Sequence, residues 1–328
     1  MAERKTFGGS LLRLIGQRPK SVVERMEQEV ESQIEAILEG CKETTTYSRE
    51  NNVRYCDIFG DISPIHRDKN DALAFPLLNL EDTPIAGILL AATGEKISRR
   101  AIARLRDYWG YDKSELAVIG QEVVFRDPAY PDQEVSWSFS GYTEREGEGL
   151  DITLAATAKK RPVVEVTTRL GKELGTMPAI AGPISSGVYI MGPEKLRGCY
   201  ECTGEEIAAD TQPVFLPIFS ASFTPSELLH LLKAKTGKIE GANRRMRIRY
   251  FAQPREGLLQ VDVFPPTKRE SRYLYKFRAI TSQDTKPVCY TEVTCAAPET
   301  LNLSLQPREM EIWGANPTPS DPRDTETS

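Results

Sequence analysis

The sequence predicts an α+β protein in which a helix followed by about four antiparallel strands occurs twice. The first copy has a long helical stretch from Thr83 to about Tyr108, followed by strand patterns between residues 116 and 170. In the second copy a shorter helix, Pro225 to Lys235, precedes strand patterns between residues 244 and 295. A chain of 328 residues exceeds what one compact domain usually holds, which agrees with two such units.

The composition is that of a globular protein, and it argues against nucleic acid as a partner and against a membrane span. The hydrophobic share of 40% and the charged share of 27% are ordinary for a chain that buries a core. A net charge of −5, without a long basic run interleaved with aromatics, gives no reason to expect nucleic acid. No apolar stretch approaches the length of a membrane span, and no apolar signal core with a cleavage site begins the chain. We therefore expect a cytoplasmic location.

The cysteines indicate free thiols rather than a metal centre. Cys199 and Cys202 have the spacing of a metal knuckle, but no second close pair and no histidine lies nearby. A zinc site normally needs four ligands, which Cys289 and Cys295 complete only if the fold brings them there. We expect reduced thiols, no bound metal and no other cofactor.

The chain begins with a short arm and an amphipathic helix. Residues 1–18 mix Gly, Lys and Arg with a Leu/Ile patch, which is typical of a loose arm, with an interfacial anchor as the alternative. From Pro19 to Gly40 apolar residues form one stripe, and proline and glycine suit the two ends of a helix. This helix docks either on its own domain or on a second subunit, and the sequence leaves both open.

The next segments lead to an acid and a histidine. Lys42 to Tyr47 reads as a strand, and Ser48 is a suitable cap for a short helix that runs to about Phe59. Asp61 follows directly after Gly60, and His66 stands five residues later, in a chain that contains two histidines in total. A carboxylate and an imidazole this close can perform general acid–base chemistry on one small reactant. The alternative is an ordinary turn, because Gly-Asp and Ser-Pro are common loop formers.

This stretch resembles the signature of the MaoC-like family of (R)-specific enoyl-CoA hydratases and 3-hydroxyacyl thioester dehydratases. The shared pattern is Tyr-x-x-x-x-Gly-Asp-x-Ser-Pro-Ile-His from residue 55, followed by Thr-Pro-Ile-Ala-Gly-Ile-Leu-Leu from residue 83. Ser63 stands where the family more often has Asn, and Ala86 where many members have His. The local match covers roughly residues 43–95. It implies a hot-dog fold, with a sheet wrapped around a central helix, and here a tandem, or double, hot-dog.

The resemblance also implies the site residues. Asp61 and His66 would be catalytic, and Ser63, Ala86 and Gly87 would bind substrate, with an amide near the glycine holding the thioester carbonyl. Thr83-Pro84 looks like a helix cap and first helical position, but only the first few amides of a helix lack partners. A free Gly87 N–H therefore requires the helix to start near residue 85 or 86, and we favour that later start.

The implied activity is a hydro-lyase that interconverts trans-2-enoyl and 3-hydroxyacyl thioesters of coenzyme A or acyl carrier protein. Two alternatives stay open: a hot-dog acyl thioesterase, and a non-catalytic acyl-binding or assembly subunit. A homodimer or a hetero-oligomer is compatible with the implied activity and with both alternatives. The apolar segment from Leu73 to Asp82 suits a wall for the acyl chain or a core filler. A basic helical face, which is either solvated or in contact with coenzyme A phosphates, contains Arg99, Arg100, Arg104 and Arg106.

The second half repeats the pattern without the motif. Val214 to Phe223 reads as a strand, Thr224 as a helix cap, and His230 as a structural histidine on the second helix. The resulting division is an N-terminal arm and helix (1–41), a catalytic MaoC-like unit (42–172), a linker (173–197), a second, degenerate unit (198–300) and a disordered tail (301–328).

Overall fold

The computed structural model describes most of the chain, namely residues 20–63, 66, 84–109, 117–145, 149–172, 177–178, 180, 182–208, 210–236, 242–271, 274–296 and 311–313. The helices within these residues are α1 Lys20–Glu39, α2 Arg49–Phe59, α3 Gly87–Trp109, α4 Pro193–Cys202, α5 Pro217–Ala221 and α6 Phe223–Thr236. The strands are β1 Glu43–Thr46, β2 Ala117–Phe125, β3 Glu134–Arg145, β4 Gly149–Ala158, β5 Arg161–Gly171, β6 Ser185–Met191, β7 Ala242–Tyr250, β8 Gly257–Ser271, β9 Leu274–Gln283, β10 Lys286–Ala296 and β11 Glu311–Trp313.

The strands form one continuous sheet with the order β1-β3-β4-β5-β2-β7-β10-β9-β8-β6-β11. The first five belong to the first half of the chain, and the remaining six, which begin with β7 at the centre of the sheet, belong to the second half. Strands β2 and β7 pair antiparallel at the centre, with Val123 opposite Met246. The fold is therefore α+β, as predicted, with two consecutive antiparallel sheets joined edge to edge into one.

Each half of the sheet carries one long helix. Helix α3 packs on β4 and β5, and α6 packs on β6 and β8. Gly94 in the middle of α3 allows the close approach, because a Cβ there would lie 2.8 Å from Val166 and 3.0 Å from Trp137. Both helices are largely buried, so the core follows the two helices and the inner face of the sheet.

The N-terminal helix docks on its own chain. Ile34 and Leu38 of α1 are buried in a cluster with Ala101, Ile102 and Leu105 of α3. This contact decides between the two dockings that the sequence left open. No helix in the described part of the chain is long and apolar enough to cross a membrane. The Leu73–Asp82 segment and the arm over residues 1–18 lie outside the described residues.

The segment 173–197 is more than the linker expected from its composition. It contains β6, whose residues alternate between buried and half-buried positions, and the first turn of α4. Gly187 leaves no space for a Cβ beside the Glu227 side chain, so the small residues that suggested a linker serve close packing instead. The exact division of the chain into two units stays a prediction.

Three further expectations for the C-terminal part of the chain are corrected. Residues 214–223 are not a strand, because Leu216 is extended and Pro217 starts helix α5. Proline has no N–H for a strand ladder, and its fixed φ suits the first turn of a helix. Thr224 is not a cap, because α6 already begins at Phe223. The tail is also not disordered throughout, since Glu311–Trp313 pairs parallel with β6.

Candidate active site

Helix α2 delivers Asp61 to its position. The side chain of Ser48 caps the helix by accepting a hydrogen bond from Asn51 N at 3.0 Å. At the other end Gly60 has φ 68°, a left-handed conformation that glycine adopts without a steric penalty. Asp61 N–H then donates back to the carbonyl of Cys56 at 2.8 Å. The acid is thus fixed by a capped helix end rather than by a free loop.

Asp61 and His66 form a hydrogen-bonded pair. His66 Nδ1 lies 2.9 Å from Asp61 Oδ2, and Asp61 Oδ1 accepts the Ser63 amide N–H at 2.8 Å. The His66 side chain is 20% exposed and that of Asp61 10%, so the pair is shielded but reachable. Ser63 supports the Asp61 carboxylate through its backbone N–H. The geometry is suitable for acid–base work because Nδ1 is engaged and Nε2 is the ring nitrogen left for a reactant.

Asn52 is a site residue that sequence reasoning missed. Its fully buried side chain donates from Nδ2 to the carbonyls of His66 (2.9 Å) and Pro84 (3.3 Å). Its Oδ1 accepts the Ala86 amide N–H at 2.8 Å. One side chain therefore joins the dyad turn to the start of α3. A weak signal was present, since asparagine is unfavourable inside a helix unless its amide has a specific partner.

The first turn of α3 presents amide groups to the site. The helix starts at Gly87, which agrees with the later of the two starts weighed from sequence. The Ala86 amide is occupied by Asn52, while the amides of Leu89 and Leu90 point to the Ala86 carbonyl at 2.9 and 3.4 Å. Among the described residues, the amides of Gly87 and Ile88 have no acceptor. Partial positive charge collects at such a helix start.

These groups surround one cavity of about 210 Å³ at the junction of the two halves. Asp61, Ser63, His66 and Gly87 line one side of it. The opposite wall is apolar and comes from α6, with Leu228, Leu229 and Leu232. The end of β2 contributes Phe125, and the ring leaves no room for a Cβ on Gly87, which would lie 2.6 Å away. The cavity thus combines a polar end with an apolar wall supplied by the second half.

His230 also connects the second half to the dyad turn. It lies on α6, and its Nε2–H donates to the Gly60 carbonyl at 3.3 Å, one residue before Asp61. Phe59 in the same turn packs against Phe223 of α6, with ring centroids 4.9 Å apart. The role of His230 is therefore contact with backbone rather than with the cavity, whose lining does not include it.

The basic face of α3 lies away from this cavity. Arg99 and the arginines after it stand at least twelve residues beyond Gly87, which is about 18 Å along a helix. They are engaged locally: Arg100 pairs with Glu43 at 2.7 Å, and Arg104 donates to the Gly40 carbonyl at 3.0 Å. The arginines that do line the cavity are Arg126 and Arg244.

The second half repeats the backbone of the dyad turn without its histidine. Asp61 N–H donates to the carbonyl five residues earlier at 2.8 Å, and Glu205 N–H does the same at 3.0 Å. The glycines before them, Gly60 and Gly204, have φ 68° and 77°. Glu205, however, faces Arg100, with the two side chains 3.6 Å apart. It stands in the place of Asp61 but is an ion-pair partner.

The start of α5 is closed by a carboxylate from α3. Glu95 is fully buried and accepts the Ile218 amide N–H at 3.1 Å, while Arg99 pairs with it at 2.7 Å. Burial raises the pKa of Glu95, and the Arg99 charge opposes that shift. The Ile218 amide at the start of α5 is therefore already bonded within the protein.

All six cysteines are buried, and none of them forms a disulfide. Burial raises the pKa of Cys199, and that of Cys202 to about 12, as expected for thiols packed in a core. Among the described residues, the one group of His, Cys, Asp and Glu side chains close enough to share a metal ion is Cys56, Asp61 and His66. The knuckle-like pair at 199 and 202 is not part of such a group.

Comparisons with known proteins agree with this architecture. No family model and no curated protein matches the sequence. A MaoC-like dehydratase structure aligns with a TM-score of 0.55 and 10% identity, over 81% of this chain and 100% of the other. A MaoC-like dehydratase from Phytophthora capsici aligns with a TM-score of 0.51 and 10% identity, over 78% and 95%. The predicted hot-dog architecture is confirmed, and at this identity the likeness extends to the fold alone.

Proposed function

We propose that the protein is a hydro-lyase that interconverts trans-2-enoyl and 3-hydroxyacyl thioesters. The observation that carries this proposal is the Asp61–His66 pair, 2.9 Å apart, in the same cavity as the start of α3. An acid–base pair and a set of helix-start amides are the two requirements of this reaction. A scaffold or acyl-binding subunit would need neither.

The dyad moves the protons. Hydration adds a water oxygen to C3 of the enoyl group and a proton to C2, and dehydration is the reverse. Asp61 and His66 hold the water, take its proton during attack at C3 and deliver a proton to C2. Since the two groups share a hydrogen bond, base and acid belong to the pair rather than to either residue.

The first turn of α3 stabilises the negative charge. Attack of water at C3, or removal of the C2 proton in the reverse direction, places negative charge on the thioester oxygen, which becomes enolate-like. The amides of Gly87 and Ile88 are the donors at this end of the cavity, where the helix dipole adds partial positive charge. One such donor typically lowers the barrier by about 3 kcal/mol.

The remaining walls fit the rest of the substrate. The leucines of α6 provide an apolar surface for an acyl chain, so the second half takes part in binding without contributing to the chemistry. Arg126 and Arg244 border the same cavity, and both are exposed. Their charge is suited to the phosphates of the thioester carrier, which is coenzyme A or the phosphopantetheine of acyl carrier protein.

An assay with crotonyl-CoA tests the proposal. We expect loss of the enoyl absorbance without release of free thiol, which is the signature of hydration. Release of thiol would identify a thioesterase and overturn the proposal. Absence of any change with short, medium and long enoyl chains, in a folded sample, would favour a non-catalytic acyl-binding subunit.

A further inference from the structure

A third side chain, Cys56, stands beside the dyad without a role in the proposed reaction. Its Sγ lies 3.9 Å from Asp61 Oδ2, the same oxygen that faces His66 Nδ1 at 2.9 Å. The sulfur, oxygen and nitrogen atoms all lie within 4.8 Å of one another. Asp61 Oδ1 is held by the Ser63 amide, so Oδ2 is the oxygen turned toward both other groups.

This arrangement is close to that of three ligands around a tetrahedral cation. Zinc bonds of about 2.0–2.3 Å place neighbouring ligand atoms roughly 3.3–3.7 Å apart. The nitrogen and oxygen would have to separate by about 0.4 Å, and the sulfur would have to approach the oxygen by a similar amount. The sulfur and the nitrogen lie within 4.8 Å of each other and would have to approach to roughly 3.5 Å. Side-chain torsions can supply shifts of this size without moving the backbone of α2.

We propose that Cys56, Asp61 and His66 form a binding site for a zinc-class divalent cation that occupies the dyad and inhibits the enzyme. Thiolate, imidazole and carboxylate together favour zinc over magnesium or calcium, which prefer all-oxygen sites. The site borders the cavity, through which the ion reaches it and which leaves a fourth position for water. With the ion bound, His66 Nδ1 and Asp61 Oδ2 are ligands and no longer share a proton.

Proton release accompanies binding. The thiol proton of Cys56 leaves to solvent as the ion enters, while the imidazole of His66 stays neutral with its proton on Nε2, so the exchange is one proton for one divalent cation. Apparent affinity therefore rises with pH as long as the thiol carries its proton. Inhibition that strengthens with pH is the corresponding signature in activity.

Cobalt titration of the metal-free full-length chain tests the site without relying on catalysis. We expect one equivalent of Co²⁺ to give the intense tetrahedral visible bands and the near-ultraviolet thiolate-to-cobalt charge-transfer band, both displaced by Zn²⁺. Cys56→Ser should lose the charge-transfer band and weaken affinity more than the 10–100-fold typical of outer-shell partners. Cys295→Ser is the matched control, because Cys295 borders the cavity but is not in the cluster, and it should keep the band.

Two further measurements make the outcome decisive. X-ray absorption on the zinc-loaded wild-type chain should show one sulfur ligand, so the site can be tested even if a variant fails to fold. Absence of a thiolate band in the wild-type chain, its persistence in folded Cys56→Ser, or a zinc shell with no sulfur or four sulfurs would overturn the proposal. In the enoyl assay, Zn²⁺ should inhibit the wild-type chain reversibly by chelator, and the ratio of rates with and without zinc should approach one in Cys56→Ser. A cobalt spectrum without any hydratase activity would leave the metal site standing and reject the proposed reaction instead.

Discussion

At Asp61, the charge of the carboxylate can be tested separately from the shape of the side chain. Asp61→Asn keeps the volume of the side chain and the acceptor for the Ser63 amide, but removes the charge and the basicity. We expect turnover to fall by about 10²–10⁴-fold, the usual contribution of general acid–base catalysis. The measurement is kcat on the enoyl thioester with a thermal melt alongside. Activity within about tenfold of wild type, or roughly 1.4 kcal/mol of barrier, would contradict the role given to Asp61.

The two histidines of the chain provide an internal comparison. His66→Ala should lower hydration by about 10²–10⁴-fold, because it removes half of the proton-transfer pair. His230→Ala should leave turnover within about tenfold and lower the melting temperature, because it removes one hydrogen bond to the Gly60 carbonyl. Both variants are assayed on the same substrate. If His230→Ala silenced the enzyme while His66→Ala did not, the active site would lie in the second half.

Asn52 should matter for stability and catalysis together. Asn52→Ala leaves the Ala86 amide and the His66 and Pro84 carbonyls without their partner, and an unmet buried group costs about 1–3 kcal/mol. We expect the free energy of unfolding to fall by at least about 2 kcal/mol and kcat to fall as well. Denaturant unfolding measures the first effect.

The neighbouring Asn51 is the matched control for this variant. Its backbone N–H bonds to Ser48, but its half-buried side chain makes no hydrogen bond to another described residue. Asn51→Ala should therefore change stability by less than about 0.5 kcal/mol. Equal effects of the two substitutions would show that helix composition, and not the bridge to α3, explains the loss.

Among single residues, the sequence predicted the contact between residues that are close along the chain and missed the contact between residues that are far apart along it. Asp61 and His66 are five residues apart, so their meeting depends on one turn whose glycine and proline are visible in the sequence. Asn52 meets Ala86 across thirty-four residues, and that contact exists only after the helix has been placed. For the same reason the sequence, which predicted Ala86 as a substrate-binding residue, did not show that Asn52 occupies the Ala86 amide.

Among the elements, the start of α3 has a steric requirement that a substitution can test. Gly87→Val would direct a branched side chain into the Phe125 ring, since even a Cβ would lie 2.6 Å from it. We expect the ring to move into the cavity and catalysis to fall more than stability. Activity and circular dichroism of the variant test this.

Shortening the opposing side chain is the control for that variant. Gly87→Val combined with Phe125→Ala should recover part of the lost activity if crowding by the ring is the cause. A folded single variant with full activity would place the thioester carbonyl elsewhere.

Strands and amphipathic helices were predicted well because each pattern repeats over many residues. Segment 214–223 was predicted wrongly because its apolar run is too short to separate a strand from a buried helix by periodicity. Pro217 was the feature that should have decided it. Strand β6 was overlooked for the opposite reason, since Gly187 and its serine neighbours resemble a linker by composition while their alternating burial is visible only in the sheet.

For the whole molecule, the buried thiols make a measurable prediction. Burial raises the pKa of Cys202 and Cys295 to about 12, so at pH 8 only a fraction of about 10⁻⁴ of either is thiolate. We expect iodoacetamide to leave both unmodified in the native chain and to alkylate them after unfolding, as read by mass spectrometry. Rapid labelling of either thiol in the native state would contradict their packing.

The pairing of β2 with β7 within one chain has a consequence for how the site between the two halves can change. In a symmetric dimer, a substitution beside the axis appears twice and must suit both copies of the site. Here the two sides of the junction are encoded separately, so the apolar wall at Leu228 and the proposed proton-transfer pair at Asp61 can change without imposing the same residue on the opposite half. Glu205 and its partner Arg100 occupy the place that symmetry would have given to a second dyad. A symmetric dimer would have two identical sites. The single chain has one site, and the residues on its two sides can change independently.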